Sequence, residues 1–463
     1  MNIDANNLMI LHSLWYTISG GDSMLKSETQ LRNRDLYLNR LIAFQDTEPV
    51  KIITGIRRCG KSSLMKLMIR HLRDSSVADG QIIEINFESM EFRSMSAEAL
   101  YQHVKERIPT GKRVYLFFDE IQRIDRWQDA VNSFRIDFDC DIYVTGSNAY
   151  LLSSEYATYL AGRCVEIKML PLSFREFLDF HGYTVSETKG PSGRTRRRVH
   201  DAEGESYEPK ELLEAYMKFG GMPGIADVGL DTDKALTLLD GIYSTVVVRD
   251  ILEREKRRGQ RQITDPWLLR KIIMFLADNI GSNTSITSIG NTLMSEKLLD
   301  SDNRKGKPAV QTIQAYVSAL LESYVFYEIK RFDIKGKEYL HTLGKYYIVD
   351  IGLRNYLLGF RDMDTGHIIE NIVYFELLRR GYDVAIGKIG DREVDFIATN
   401  ASEKRYIQVT ESMNDPATRE RELAPLRRIR DNYEKLVIAG DCDNPVTLDG
   451  IKLIKLTDFL LDA

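Results

Sequence analysis

The chain predicts an α/β fold built on a mainly parallel sheet, and three observations carry that prediction. A glycine-rich loop, GIRRCGKSS from Gly55 to Ser63, directly follows an apolar run holding Val50, Ile52 and Ile53. Leu64, Leu67, Met68 and Leu72 then recur at helical spacing, so strand, loop and helix succeed one another. Beyond the loop, the short apolar runs QIIEINFE (81–88), RVYLFFDE (113–120), DIYVTGS (141–147) and CVEIKML (164–170) alternate with amphipathic stretches. Strands and helices in alternation give a parallel sheet covered on both faces.

The loop names its own chemistry. Its Gly-x-x-x-x-Gly-Lys-Ser spacing lets the backbone N–H groups around Gly55, Arg58, Cys59, Gly60 and Ser63 wrap a triphosphate. Lys61 reaches the outer phosphates, the Ser62 hydroxyl ligates magnesium, and the helix that follows points its N-terminus at the anion. ATP and Mg2+ are therefore the expected ligands of a P-loop NTPase sheet. RVYLFFDE reads as a buried strand with Asp119 and Glu120 at its carboxyl end, where such sheets place ligand chemistry. Asp119 would hold the metal, and Glu120 would polarise the attacking water. At the exit of the next strand, Ser147 or Asn148 could touch the γ-phosphate or the water, but both are equally good N-caps for a helix starting near Ala149. Arg163 precedes the last strand; it could offer its guanidinium across a subunit boundary or pair with a local carboxylate.

Composition narrows the class without deciding the partner. The chain has 463 residues, about three domains by the usual size prior, with 43% hydrophobic content. A net charge of −5 excludes a uniformly basic nucleic-acid binder while leaving room for a local basic face. Cys59, Cys140, Cys164 and Cys442 are scattered with no C-x-x-C pair, so neither zinc nor a disulfide framework is expected, and a reducing cytoplasm fits. The apolar patch Leu8 to Tyr16 is too short to span a bilayer and lacks a basic leader, so no membrane association is expected. Residues 1–30 read as an N-terminal extension, of which 1–23 are expected to be poorly ordered, since Met24 opens a more ordinary helical start.

The rest of the chain reads in segments. An ATPase core spans 31–182, and 183–262 hold a polar insertion and helical lid. The insertion, ETKGPSGRTRRRVHDAEGES, has the composition of a mobile surface loop; its RTRRR is either a nucleic-acid arm or a solvated face. In YMKFGGMPGI, Gly220, Gly221 and Pro223 must break a helix, and the charge mixing from Arg249 to Arg258 reads as an exposed helix. Residues 263–362 follow the order helix, short helix, longer helix, two strands, which predicts a winged-helix module. On the longer helix Ile313, Tyr316, Val317, Leu320 and Leu321 form one face; Gln311, Gln314 and Ser318 form the other, with Arg304, Lys305 and Lys307 upstream.

TGIRRCGKSSLM, LFFDEIQ, VTGSNAYLLSSEYATYLAGR and VEIKMLPLSFREFL resemble prokaryotic AAA-type ATP-binding proteins that carry a C-terminal restriction-endonuclease-like domain of unassigned function. The resemblance runs from about Leu25 to the C-terminus. It implies a sheet in which the Gly55 strand lies beside the sensor strand that neighbours Asp119, a lid over 216–225, and assembly between ATPase subunits. For 363–463 it implies an α/β fold that holds magnesium through a helix Glu, a strand Asp and a Glu-x-Lys pair. By position Glu370 and Asp395 match, but Gln408 replaces the second acid and Thr410 the lysine. Glu411 points to the opposite strand face, whereas Glu393 shares a face with Asp395 and could restore a carboxylate. No lysine is left in the matching position, so this domain reads as degenerate. Three outputs stay open: a nucleotide-driven change acting on DNA or RNA, a switch acting on a protein partner with the terminal modules as scaffolds, and an ATP-gated metal-dependent nuclease. A homo-oligomer is compatible with each.

Overall fold

The computed structural model describes residues 31–149, 162–189, 195–245, 251–252, 263–295, 309–361, 364–442 and 447–462. The expected N-terminal extension, the whole YLLSSEYATYLA stretch, the upstream cations Arg304, Lys305 and Lys307, and nearly all of the Arg249 to Arg258 segment lie outside the described residues. Two compact units divide the chain: residues 1–52, 61–145 and 162–167 form one, and residues 53–60, 146–161 and 168–463 the other.

The first unit is a parallel sheet with helices. In chain order it holds α1 (Asp35–Ala43), β1 (Val50–Thr54), α2 (Lys61–Asp74), β2 (Ile82–Asn86), α3 (Ala97–Lys105), β3 (Val114–Asp119), α4 (Trp127–Asp137), β4 (Cys140–Gly146) and β5 (Cys164–Lys168). The five strands are ordered β2-β3-β4-β1-β5. This is the order the resemblance implies, with the Gly55 strand beside β4 and β4 beside the Asp119 strand. Burial follows position: β1 and β3 are buried at every residue, while the edge strands β2 and β5 retain exposed positions. Strands covered on both faces need the unbroken apolar runs seen in the sequence. An ion pair interrupts that core. Lys51 on β1 reaches Asp141 on β4 at 2.5 Å with both side chains fully buried, and Asp141 also accepts from Tyr143 at 2.9 Å and the Asp46 amide at 2.8 Å. A buried charge persists only when paired and hydrogen-bonded in this way. On α2, Leu64, Leu67, Met68 and Leu72 are buried as the spacing predicts.

The second unit begins its described helices with α5 (Phe174–Phe180), followed by β6 (Thr184–Lys189), β7 (Thr195–His200), β8 (Ser206–Tyr207), α6 (Pro209–Phe219), α7 (Ile225–Val228) and α8 (Thr232–Ile242). The polar insertion expected as a mobile loop is a three-stranded antiparallel sheet, β6-β7-β8. Arg197 of RTRRR is not a free arm: its side chain is 9% exposed and ion-pairs Glu187 at 2.9 Å, Asp458 at 3.0 Å and Asp462. Gly220 ends α6 with φ 78, and a Cβ there would lie 2.4 Å from Asp350 Oδ1. The helix break expected at this glycine is therefore enforced by backbone and space together.

The chain continues through α9 (Pro266–Asp278), β9 (Asn283–Thr284), α10 (Ile286–Ser295), α11 (Val310–Glu322), β10 (Phe326–Asp333) and β11 (Glu338–Ile348). It ends with α12 (Ile351–Leu358), α13 (Thr365–Arg379), β12 (Asp383–Ile389), β13 (Arg392–Thr399), β14 (Lys404–Ser412), α14 (Pro416–Arg427), β15 (Glu434–Asp441), β16 (Thr447–Leu448), β17 (Ile451–Lys455) and α15 (Leu456–Leu461). On α11, Ile313, Tyr316, Val317 and Leu320 are buried, whereas Gln311, Gln314 and Ser318 are exposed. One nine-stranded sheet, β16-β17-β15-β14-β13-β12-β10-β11-β9, runs through this whole region. β12, β13 and β14 form an antiparallel meander; β15 then pairs parallel to β14 after the crossover of α14. The join between β10 and β12 is parallel, Arg331 to Ile386 through Asp333 to Lys388. Helix α13 is buried at every position from Ile368 to Leu377, so it is a core helix rather than an amphipathic cover.

Candidate functional site

At the end of β1 the chain cannot continue as an ordinary strand. Gly55 has φ 140, and a Cβ there would fall 2.1 Å from the Met169 carbonyl oxygen. Met169 N–H donates to Thr54 O at 2.7 Å, and buried Cys59 turns its thiol toward the same Met169 carbonyl at 3.7 Å. The Cys59 side chain thus faces inward, so its share in holding a ligand is that of its backbone. Arg58 takes φ 64 and Gly60 φ 103, so the loop curls through left-handed backbone before α2 begins at Lys61. Successive N–H groups turned inward by such alternation form an anion nest. Lys61 is 5% exposed, whereas Ser62 and Ser63 are exposed on the first turn of α2.

The acids of β3 meet that first turn. Asp119 is 6% exposed and accepts hydrogen bonds from Thr145 at 2.5 Å, from Asn86 at 3.0 Å and from Ser62. Burial raises its pKa, with the neighbouring Glu120 charge adding to the rise, while the Thr145 and Ser62 hydroxyls and Lys61 pull the other way. Glu120 leaves the strand with φ 56, unusual for a residue with a side chain, and its amide donates to Thr145 Oγ1 at 2.9 Å. Gln122 Nε2 donates to its carboxylate. Thr145 therefore fixes two things at once: the carboxylate of Asp119 and the backbone bend that aims Glu120.

Three partners in this group, Thr145, Asn86 and Gln122, escaped the sequence reading. Their signal lies in strand register. Asn86 sits opposite Asp119 and Phe118 opposite Val144, which places Thr145 at the carboxylate end of β3. Asn148 lies just after β4 and is 7% exposed; Arg163 is exposed immediately before β5, its carbonyl accepting from Val50 N–H at 2.9 Å. In the first unit a lysine, a hydroxyl and a carboxylate stand together at the start of α2, donor types that suit a phosphate and a hard cation.

The second cluster lies in the other unit. Glu370 on α13, Glu393 and Asp395 on β13 and Gln408 on β14 are brought to one region, but not as a cation site. Lys345, from β11, lies 2.9 Å from Glu370 Oε1 and 2.8 Å from Glu393 Oε1. A lysine is therefore present after all, delivered by a strand that no Glu-x-Lys spacing would indicate. Tyr347 donates to Glu370 at 2.5 Å, and Asn283 to Glu393 at 3.2 Å. Asp395 N–H donates to Gln408 Oε1 at 3.4 Å, and Asp395 Oδ2 accepts from Val409 N–H at 2.8 Å. Burial and then the Glu370 charge push the Asp395 pKa well up. Burial alone would lower that of Lys345, but Glu370, Asp395 and Glu393 outweigh it and the ammonium is held charged. Thr410 does not join them; its hydroxyl donates to Ser412 O at 3.4 Å, while Glu411 is exposed. Because the ammonium fills the space between two of the carboxylates, the residues present do not fit the magnesium that the resemblance implies here.

Comparisons with known proteins identify relatives of the chain and the family of its first domain. Residues 47–178 match the AAA domain family, and residues 210–364 match a domain of unknown function. An uncharacterized protein of Haemophilus influenzae is 38% identical over 431 residues, covering 93% of this chain and 98% of that protein. An uncharacterized protein of Methanocaldococcus jannaschii is 30% identical over 428 residues, covering 91% and 85%. Among solved structures, a Walker-type ATPase of Pyrococcus abyssi is similar at 16% identity, with a TM-score of 0.46 over 70% of this chain and 95% of that one. Among the described residues, no helix is long and apolar enough to cross a membrane.

Proposed function

We propose that this chain, which belongs to one family with the Haemophilus and Methanocaldococcus proteins and matches the AAA domain over residues 47–178, binds ATP with magnesium and hydrolyses it to drive a conformational change. The observation that carries the reading is the hydrogen bond joining Ser62 to Asp119, with Glu120 held beside it by Thr145. The backbone of Gly55 to Ser63 binds the phosphates, and Lys61 offsets their charge. Ser62 and Asp119 would hold magnesium, which when bound neutralises charge on the phosphate oxygens. Glu120 orients a water for in-line attack and accepts its proton, while Gln122 keeps the carboxylate turned. Asn148 is assigned to the γ-phosphate side. Arg163 is assigned to the nucleotide of a neighbouring subunit, in a homo-oligomer.

The downstream modules receive the output. Helix, β9, helix, helix, β10 and β11, with strand order β10-β11-β9, support a winged-helix reading of the middle region. α13, the β12-β13-β14 meander, α14 and parallel β15 support a restriction-endonuclease-like reading of the last one, with its cutting chemistry lost. Action on nucleic acid through these modules is the first reading. The uncharged exposed face of α11 and the paired Arg197 favour a second, a switch on a protein partner.

Phosphate release by the full chain is the test. Glu120→Gln should retain ATP while losing turnover by about two to four powers of ten, the usual worth of a general base. Near-normal turnover would remove Glu120 from its role. Rates unchanged by DNA and by RNA would select the protein-partner reading.

A further inference from the structure

The carboxylate group of the second unit already contains a cation, and that cation belongs to the chain. Lys345 is 5% exposed, and its single nitrogen is shared by Glu370 of α13 at 2.9 Å and Glu393 of β13 at 2.8 Å. Asp395 follows Glu393 on the same face of its strand. A hard divalent ion needs several oxygen ligands and usually one or two carboxylates. Among the described residues no three acidic, histidine or cysteine side chains are arranged to hold one, and Glu370 and Glu393 end instead on an ammonium. A metal ion bridging Glu370 and Glu393 would have to stand where Nζ stands, and two cations cannot share that space. Tyr347 completes the acceptance at Glu370, so the oxygen facing the lysine is committed twice.

We propose that Lys345 is the resident cation of this cluster, occupying the place of a divalent metal and making the terminal module metal-independent. The consequence is architectural. A tethered charge joins β11 to α13 and β13, next to the buried pair in which Asn371 exchanges bonds with the Ile348 backbone at 3.0 and 2.9 Å. The inference is independent of the nucleotide site, because none of its residues belongs to the phosphate loop or to the Asp119 strand. Access is not the obstacle. Glu393 and Gln408 line an open cleft of about 740 Å³, so an ion in solution could reach the cluster once the ammonium is gone.

Manganese, which favours carboxylate oxygen and is directly countable by electron paramagnetic resonance, is the probe. With full-length protein and no nucleotide, the wild type should show no manganese binding that disappears in Asp395→Asn. Lys345→Met should gain one manganese ion per chain at this cluster, and Lys345→Met combined with Asp395→Asn should lose it. A folded Lys345→Met protein that gains no ion overturns the proposal. Wild-type binding that Asp395→Asn abolishes also overturns it, and would mean that metal and lysine act side by side. Should Lys345→Met fail to fold, thermal melting decides: millimolar manganese should shift wild type and Asp395→Asn equally, and a shift confined to the wild type refutes the claim.

Discussion

Thr145→Val is the sharpest probe of the nucleotide site, because it keeps the size of a buried strand residue and removes only its hydroxyl. Two bonds are lost: the 2.5 Å donation to Asp119 and the 2.9 Å acceptance from the Glu120 amide. The amide loses its hydroxyl acceptor, which costs about 1–3 kcal/mol. Asp119 retains Ser62 and Asn86, so the charged bond is expected near the low end of its range, about 1.5 kcal/mol. Folding stability should therefore fall by roughly 2.5–4.5 kcal/mol. If the bend that aims Glu120 relaxes, about 1.5–3 kcal/mol appears in the barrier, which is roughly a 10- to 150-fold loss in kcat. ATP affinity should change much less, because the phosphate loop is untouched. Steady-state phosphate release with calorimetric ATP binding separates the two, and Thr145→Ser should restore both bonds and most of the rate. The Thr145 bond also holds the Asp119 carboxyl down, so its loss should move the acidic limb of the pH–rate profile to higher pH. Turnover within about twofold of wild type in Thr145→Val would refute the idea that the hydroxyl positions the base.

Gly55→Ala would force a Cβ to 2.1 Å from a backbone carbonyl at φ 140, so the loop must move away from Met169. ATP binding weakened by at least about tenfold is expected in calorimetry, since positive φ alone costs about 1–2 kcal/mol. An unchanged affinity would mean that the loop does not grip phosphates. Buried Asp350, capping α12, accepts from Gly221 N–H at 2.7 Å and Leu353 N–H at 3.0 Å, and burial pushes its pKa from 3.8 up to about 6. The folded chain then binds this proton more tightly than the unfolded one, so the contribution to stability is full below about pH 4 and lost as pH rises through about 6, by on the order of 3 kcal/mol at most. Urea unfolding across that window should slope downward in the wild type and flatten in Asp350→Asn; identical slopes would exclude the carboxyl as the source.

The features legible in the sequence were those written within one segment. The phosphate loop, the helix after it and the acids ending RVYLFFDE depend on spacings of a few residues, and the fold places them as those spacings require. Thr145 and Asn86 were not legible, because what matters about them is which residue of a neighbouring strand they face. Lys345 hid for a related reason. In GKYYIVD it looks like the polar leader of an apolar strand, yet period-two alternation puts it on the face of Tyr347, and only the arrival of α13 and β13 turns that face acidic. The stretch around RTRRR misled by composition: its polarity suggested a loop, but Arg197 finds partners on the other strand of its hairpin and at the far end of the chain.

Three register pairs weld β10 to β12, and Ile334 N–H adds a bond to Lys388 O at 2.9 Å. A seam of main-chain bonds does not swivel as a flexible linker would; to bend there, several must rupture together. A push arriving at α11 would thus travel undivided along one plate as far as β17, and any pivot must be sought at the plate's margins rather than in its middle.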